Sequence, residues 1–98
     1  NGLLGVLGHI ACFDHEGARH YYPMVFCLDP DNLETSPMRV IATRANFPDG
    51  PSKRQGLEDV VFSGGLRRLS NGRGRFYAGI SDVEAHYLDI PDPFLEFL

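Results

Sequence analysis

Turn chemistry recurs along this chain and divides much of it into short runs. Asp14-His15-Glu16-Gly17, Asp29-Pro30-Asp31-Asn32, Asn71-Gly72, Ser81-Asp82 and Pro91-Asp92-Pro93 each carry residues that favour tight turns, because Pro presets φ, Gly tolerates positive φ, and Asp and Asn bond their own backbone. The intervening runs are short, apolar, and rich in aromatic and β-branched residues. They read as strands over Leu3–Phe13, Tyr21–Leu28, Met38–Thr43, Glu58–Leu69, Phe76–Ile80 and His86–Ile90. Phe47–Arg54, with two prolines and a glycine, reads as a loop, and Gly64-Gly65 permits a bend or a close backbone approach within the fourth strand. No window has the period of an amphipathic helix. The expected fold is all-β, in the short-strand pattern shared by sandwiches, barrels and propellers.

A faint repeat narrows this. Gly17 precedes Tyr21-Tyr22 as Gly72 precedes Phe76-Tyr77, at an offset of 55 residues. Each stretch runs apolar strand, glycine turn, aromatic pair, strand, acidic turn. Any two hairpins share part of this pattern, but repeated units of about 40–50 residues with four strands each are the signature of propeller blades.

At 98 residues the chain has material for one small domain. Its 43 % hydrophobic content excludes wholesale disorder. No apolar run approaches the roughly 20 residues of a membrane-spanning helix, and no basic segment leads into an apolar one as in a signal peptide. A net charge of −4 argues against general affinity for nucleic acid or anionic lipid. The chain opens on Asn1-Gly2-Leu3 and closes on Phe94-Leu95-Glu96-Phe97-Leu98, apolar at both ends, which suggests a piece of a longer chain.

Cys12 and Cys27 fall on the first two strands. A hairpin turning at His15–Gly17 sets Cys12 opposite Tyr21 and Cys27 opposite Val6, too far apart for a disulfide. Two buried free thiols favour a reducing compartment, and so the cytoplasm. His9, His15, His20 and His86 lack the spacings of a zinc site, so no metal is expected. Asp29–Asn32 begins like a calcium loop but continues Leu33-Glu34 where a ligand and a glycine belong. Ser63-Gly64-Gly65 lacks the lysine of a phosphate loop. Arg67, Arg68, Arg73 and Arg75 crowd one hairpin, either as a solvated edge or as an anion-binding patch.

Several stretches, in order, carry a family likeness. Gly2-Leu3-Leu4-Gly5-Val6-Leu7-Gly8-His9 is followed by Tyr21-Tyr22-Pro23-Met24-Val25-Phe26-Cys27-Leu28-Asp29-Pro30 and Arg39-Val40-Ile41-Ala42-Thr43-Arg44. Then Glu58-Asp59-Val60-Val61-Phe62-Ser63-Gly64-Gly65 precedes Phe76-Tyr77-Ala78-Gly79-Ile80-Ser81-Asp82. Over residues 2 to 90 this resembles the C-terminal part of the mannoside phosphorylases of glycoside hydrolase family 130, and more closely an uncharacterised family related to them. The resemblance implies the last one to two blades of a five-bladed β-propeller: one partial domain over 1–98, with blade-like units at about 1–47 and about 56–93. It implies a carbohydrate ligand of mannoside type, inorganic phosphate as the candidate co-substrate, no other cofactor, and the remaining blades as partners.

The resemblance also carries three substrate-binding residues. His9 is similar to the funnel-facing histidine of the first motif, one place later than an ungapped correspondence puts it. Asp82 is similar to the aspartate that closes the Tyr-Tyr-Gly-Ala-Ala-Asp motif and holds sugar hydroxyls. Tyr77 and Gly79 keep their family positions. On bland readings, His9 is a satisfied strand residue and Asp82 a turn cap. There are departures. Leu3 stands for a tryptophan and Ser63 for a proline, the phosphate-binding lysine would fall at or before residue 1, and the general-acid aspartate lies upstream. Glycosidic cleavage needs a proton donor and a nucleophile. These 98 residues supply neither, so the fragment alone is expected to be inactive. Three readings follow: part of a glycoside hydrolase or phosphorylase, part of a non-catalytic glycan-binding or scaffold propeller, or an independent small β-sandwich.

Overall fold

The computed structural model describes residues 2–95; Asn1 and Glu96–Leu98, at the apolar ends noted above, lie outside the described residues. Six strands form in chain order: β1 (Leu4–Phe13), β2 (Arg19–Leu28), β3 (Arg39–Val40), β4 (Asp59–Arg68), β5 (Arg73–Ile80) and β6 (Glu84–Pro91). They lie on one hydrogen-bonded path, β1-β2-β4-β5-β6, with β3 paired to the outer part of β2. The described residues form a plate measuring 43 × 30 × 15 Å along its principal axes.

The 55-residue echo is geometric as well as sequential. In the first hairpin the Asp14 amide donates to the Ala18 carbonyl at 2.9 Å; in the second, the Leu69 amide donates to the Arg73 carbonyl at 2.8 Å. Gly17 (φ 84°) and Gly72 (φ 77°) take the left-handed position of each loop. Both are three-residue loops, in which a type I turn is followed by a left-handed residue. The equivalent positions Gly8 and Ser63 meet in space, the Ser63 hydroxyl donating to the Gly8 carbonyl at 2.6 Å.

That loop corrects the expected register. Asp14 pairs with Ala18, so Cys12 lies opposite His20 and Cys27 opposite Gly5, each one residue from the expectation. A shift of one residue turns every side chain of a strand to the other face. Cys27 is buried as expected, but Cys12 is exposed, so the expectation of two buried thiols fails for it.

The third expected strand is also shorter. Only Arg39–Val40 pairs with β2. The chain then leaves the ladder to bury Ala42 and Phe47, making a single 3-10 turn over Arg44–Asn46, where the Asn46 side chain accepts the Thr43 amide at 2.8 Å. Ala42 and Phe47 complete a core with Val61, Phe76, Ala78 and Ile80, against which Leu7, Ile41 and Leu88 pack. In β4 the register shifts between Ser63 and Gly65, and a Cβ on Gly64 would lie 3.0 Å from the Tyr77 carbonyl oxygen, the close backbone approach that the glycine pair suggested.

Candidate functional site

β2 and β4 run side by side, parallel, for only two register pairs, His20↔Asp59 and Tyr21↔Val60. On one side of this junction is a concavity of about 170 Å³ lined by Arg19, Tyr21, Leu57, Val60, Phe62 and Asp82. Tyr21 and Phe62 present their rings 6.4 Å apart at 30°. The His9 imidazole stacks on Tyr21 at 5.4 Å and 20°, and touches Phe62 at 4.7 Å. His9 reaches this face because its register partner is Pro23, two residues from Tyr21 on the same side of β2.

Asp82 arrives from the β5–β6 connection. The Val83 amide donates to the Ile80 carbonyl at 3.1 Å, and Ser81 (φ 52°) and Asp82 (φ 61°) both lie in the left-handed region, a type I′ turn built without glycine. Two such residues in succession are costly unless their surroundings hold them. Ser81 is held at all of its polar groups. Its amide donates to the Val60 carbonyl at 2.8 Å, its carbonyl accepts the Lys53 amide at 2.9 Å, and its hydroxyl donates to the Glu58 carbonyl at 2.9 Å and accepts Arg44 Nε at 3.3 Å. Ser81 is buried while the Asp82 carboxylate remains exposed, 3.6 Å from Lys53 Nζ.

On the opposite side of the junction is a polar cluster that sequence reading missed. His20 Nδ1 lies 2.7 Å from Asp59 Oδ2, and His20 Nε2 lies 2.9 Å from Asp14 Oδ2. The Tyr22 hydroxyl donates to the same Asp59 oxygen. Hydrogen bonds from Asp59 and then Asp14 raise the His20 pKa above the usual imidazole value, and the bond to His20 holds Asp14 below the usual carboxylate range. Tyr22 is pushed up to about 12, first by its bond to Asp59. Nothing in local spacing marks this cluster, because Asp59 is 39 residues from His20.

The expected site residues therefore divide. His9 and Asp82 border the same Tyr21–Phe62 ring pair. Tyr77 lines a separate concavity of about 400 Å³ together with Gly64, Gly79, Ala85 and Tyr87, its ring 6.3 Å from that of Tyr87. Of the crowded arginines, Arg68 Nε bonds Asp92 at 2.6 Å, Arg75 Nε bonds its cross-strand partner Asp89 at 2.8 Å, and Arg73 donates to the Asp89 carbonyl at 3.3 Å; Arg73 and Arg75 lie on β5, between β4 and β6, and not, as expected, on an edge strand. Among the described residues no three His, Cys, Asp or Glu side chains are grouped to hold a metal ion, and no helix is long and apolar enough to cross a membrane.

Comparison with known proteins follows the same lines. A family described as "Protein of unknown function (DUF1861)" matches residues 1–96. No curated protein matches the sequence. A mannose phosphorylase from Leishmania mexicana (MPT-4), solved with a phosphate ion, is 30 % identical with a TM-score of 0.83, over 95 % of this chain and 30 % of its own. A hypothetical protein from Leishmania major is 28 % identical with a TM-score of 0.86, over 96 % of this chain and 31 % of its own. A GDP-Man-dependent mannosyltransferase from Leishmania mexicana (MPT-1), 24 % identical with a TM-score of 0.83 over 96 % of this chain and 32 % of its own, shares the fold. The chain thus spans about a third of the length of each of these structures.

Proposed function

The chain belongs to the DUF1861 family of proteins of unknown function, and on that premise we propose that it is the sugar-facing portion of a β-propeller that binds or processes a mannoside-type carbohydrate. The observation that carries this reading is the Asp82 carboxylate, held next to the fully bonded Ser81 on a left-handed turn at the rim of a cavity walled by Tyr21 and Phe62. Left-handed strain in residues other than glycine persists where the surroundings over-determine it, and such places are often functional. A carboxylate accepts hydrogen bonds from a pair of neighbouring sugar hydroxyls, while flat aromatic faces take the C–H face of the ring. A few polar groups set in an apolar, aromatic wall are the usual composition of a small-molecule site.

In this reading His9 adds a third ring and a hydrogen-bonding edge, and Tyr77 with Tyr87 forms an adjoining surface for a longer glycan. The units at about 1–47 and about 56–93 are two blades. The match to the phosphorylase supports a five-bladed whole: 95 % of 98 residues equals 30 % of that relative, whose length is therefore about 310 residues, room for five to six periods of 55. Inorganic phosphate is the candidate co-substrate, since that relative was solved with phosphate. The acid that protonates the leaving oxygen lies, in this reading, outside these 98 residues, and Asp82 beside Lys53 orients substrate and does not transfer a proton.

The test uses the full natural protein. Titration with mannosides should show saturable binding, and Asp82→Ala should weaken it at least about tenfold, a loss of about 1.4 kcal/mol, with a melting temperature lowered only by the cost of about 1 kcal/mol of placing alanine at a left-handed φ of 61°. Unchanged affinity in Asp82→Ala removes the role assigned to this residue. Release of sugar phosphate or reducing sugar by the wild type supports an enzyme; binding without either supports a glycan-binding propeller.

A further inference from the structure

The polar cluster behind the cavity lies where the two halves of the plate are joined most thinly. The parallel β2–β4 ladder has two register pairs, and both concern the site: Tyr21↔Val60 places the aromatic wall, and His20↔Asp59 is the pair directly beside it. His20 is bonded at both ring nitrogens, to Asp59 on β4 and to Asp14 at the start of the β1–β2 loop. The titratable groups facing it are all acids. Asp14 comes from the loop, Asp59 from β4, Tyr22 from β2, and Cys12 is its register partner on β1. The nearest cation in sequence, Arg19, points to the opposite side, where its guanidinium lies over the Phe13 ring at 5.4 Å.

An imidazole can donate from both nitrogens only as the imidazolium; the neutral ring donates from one and presents a lone pair at the other. Neutral His20 therefore leaves one of its two carboxylates facing a lone pair, and the link from loop to β2 to β4 is cut at that point. Asp14 also holds the loop itself, its Oδ1 accepting the amides of Glu16 and Ala18 at 2.9 and 3.0 Å, so a carboxylate displaced by the neutral ring disturbs the hairpin end as well as the junction.

We infer that His20 is a positioning residue for the carbohydrate cavity: doubly protonated, it pins the β1–β2 loop and β2 to β4 and so sets the gap between Tyr21 and Phe62, and its deprotonation loosens that gap and weakens ligand binding. The inference rests on the cavity being the sugar site. The sign of the pH effect follows from the two carboxylates, which raise the His20 pKa in the folded protein. The clamp is complete below the imidazole's unfolded value and is lost as the pH rises through the raised folded value.

The full natural protein, labelled at histidine, is titrated by NMR from about pH 5 to about pH 9 while its melting temperature and its affinity for a mannoside are followed over the same range. His20 should titrate above about 6.5, and affinity should fall about fivefold as it does so. His20→Gln, which keeps one donor, should lose that pH dependence in both melting temperature and affinity. Asp14→Asn keeps the loop's amide acceptor and removes one anionic partner. It should lower the His20 pKa and move the fall in affinity to lower pH, and it serves if His20→Gln fails to fold. A His20 pKa at or below the free value, or parallel pH profiles for wild type and both variants, overturns the inference. Absence of mannoside binding at every pH, with a raised His20 pKa and pH-dependent melting that His20→Gln abolishes, overturns the sugar reading and leaves the clamp established.

Discussion

Ser81 shows how much of a site can rest on a residue that never touches a ligand. Each of its polar groups is bonded to a different part of the chain, which is why the backbone accepts a left-handed φ of 52° there. Ser81→Ala removes the hydroxyl that bonds the Glu58 carbonyl and accepts Arg44 Nε, while Arg44 keeps its bonds to the Phe47 and Pro48 carbonyls, and should cost about 0.5–1.5 kcal/mol. Ser81→Gly loses the same hydroxyl but relieves the strain, so it should be the more stable of the two by about 1 kcal/mol. Chemical denaturation of both variants checks the order; an alanine variant as stable as the glycine variant would show that the turn carries no strain. In sequence Ser81-Asp82 is legible as a turn, and Asp82 as a candidate ligand group. That the turn is type I′ and bolted is not legible, because the bolts are Arg44, Lys53, Glu58 and Val60, brought in by tertiary packing. Tyr21 and Phe62 stayed unremarked for a different reason. With the hairpin register shifted by one, Tyr21 falls on the face away from His9, and the aromatic wall does not assemble on paper.

Among the elements, the hairpins repeat each other down to the hydrogen bond that closes each loop, and β1 is tied to the end of the chain by a contact that only glycine allows. A Cβ on Gly5 would stand 2.9 Å from the Phe94 ring, which also lies 5.8 Å from the Arg68 guanidinium. Arg68 in turn holds the buried Asp92 carboxylate, whose other oxygen accepts the Phe94 amide at 3.0 Å. Gly5→Ala should therefore cost about 1–3 kcal/mol by overpacking, and Phe94→Ala about 1–2 kcal/mol by lost contact. In the double variant the clash is gone, so its destabilisation should fall short of the sum by about 1 kcal/mol. Strict additivity in denaturant melts would mean that β1 and the terminal segment are independent. Strand identity was readable because turn residues and β-branched runs are local signals, and five of the six strands lie close to where those signals put them. The third is two residues long because, after the Ile41 amide bonds the Pro23 carbonyl, burial of Ala42 and Phe47 takes the chain away from the ladder, a choice settled by the core and invisible to propensity.

At the scale of the whole molecule, the β4–β6 half of the plate has one covered side. The covered face of β4–β6 carries Val61, Phe76, Ala78 and Ile80; the other carries Phe62, Tyr77 and Tyr87, exposed by 50, 42 and 58 %. Contiguous exposed aromatics of this size mark a contact surface. Covering two tyrosines removes on the order of 200–400 Å² from water, which is worth several kcal/mol at about 25 cal/mol per Å². The 98-residue chain taken alone should therefore associate, sedimenting above its 10.9 kDa monomer mass, and Tyr77→Lys with Tyr87→Lys should return it towards that mass. A monomeric wild-type chain that melts cooperatively would remove this face as a contact surface. The same pair of substitutions in the full natural protein decides what Tyr77 is for. If the face packs against another blade, the double variant loses several degrees of melting temperature through buried, unpaired charge, whatever the ligand does. If instead the face is open to a glycan, stability holds and affinity for longer mannosides falls while affinity for a single sugar ring, held by Asp82 and His9 in the neighbouring cavity, does not.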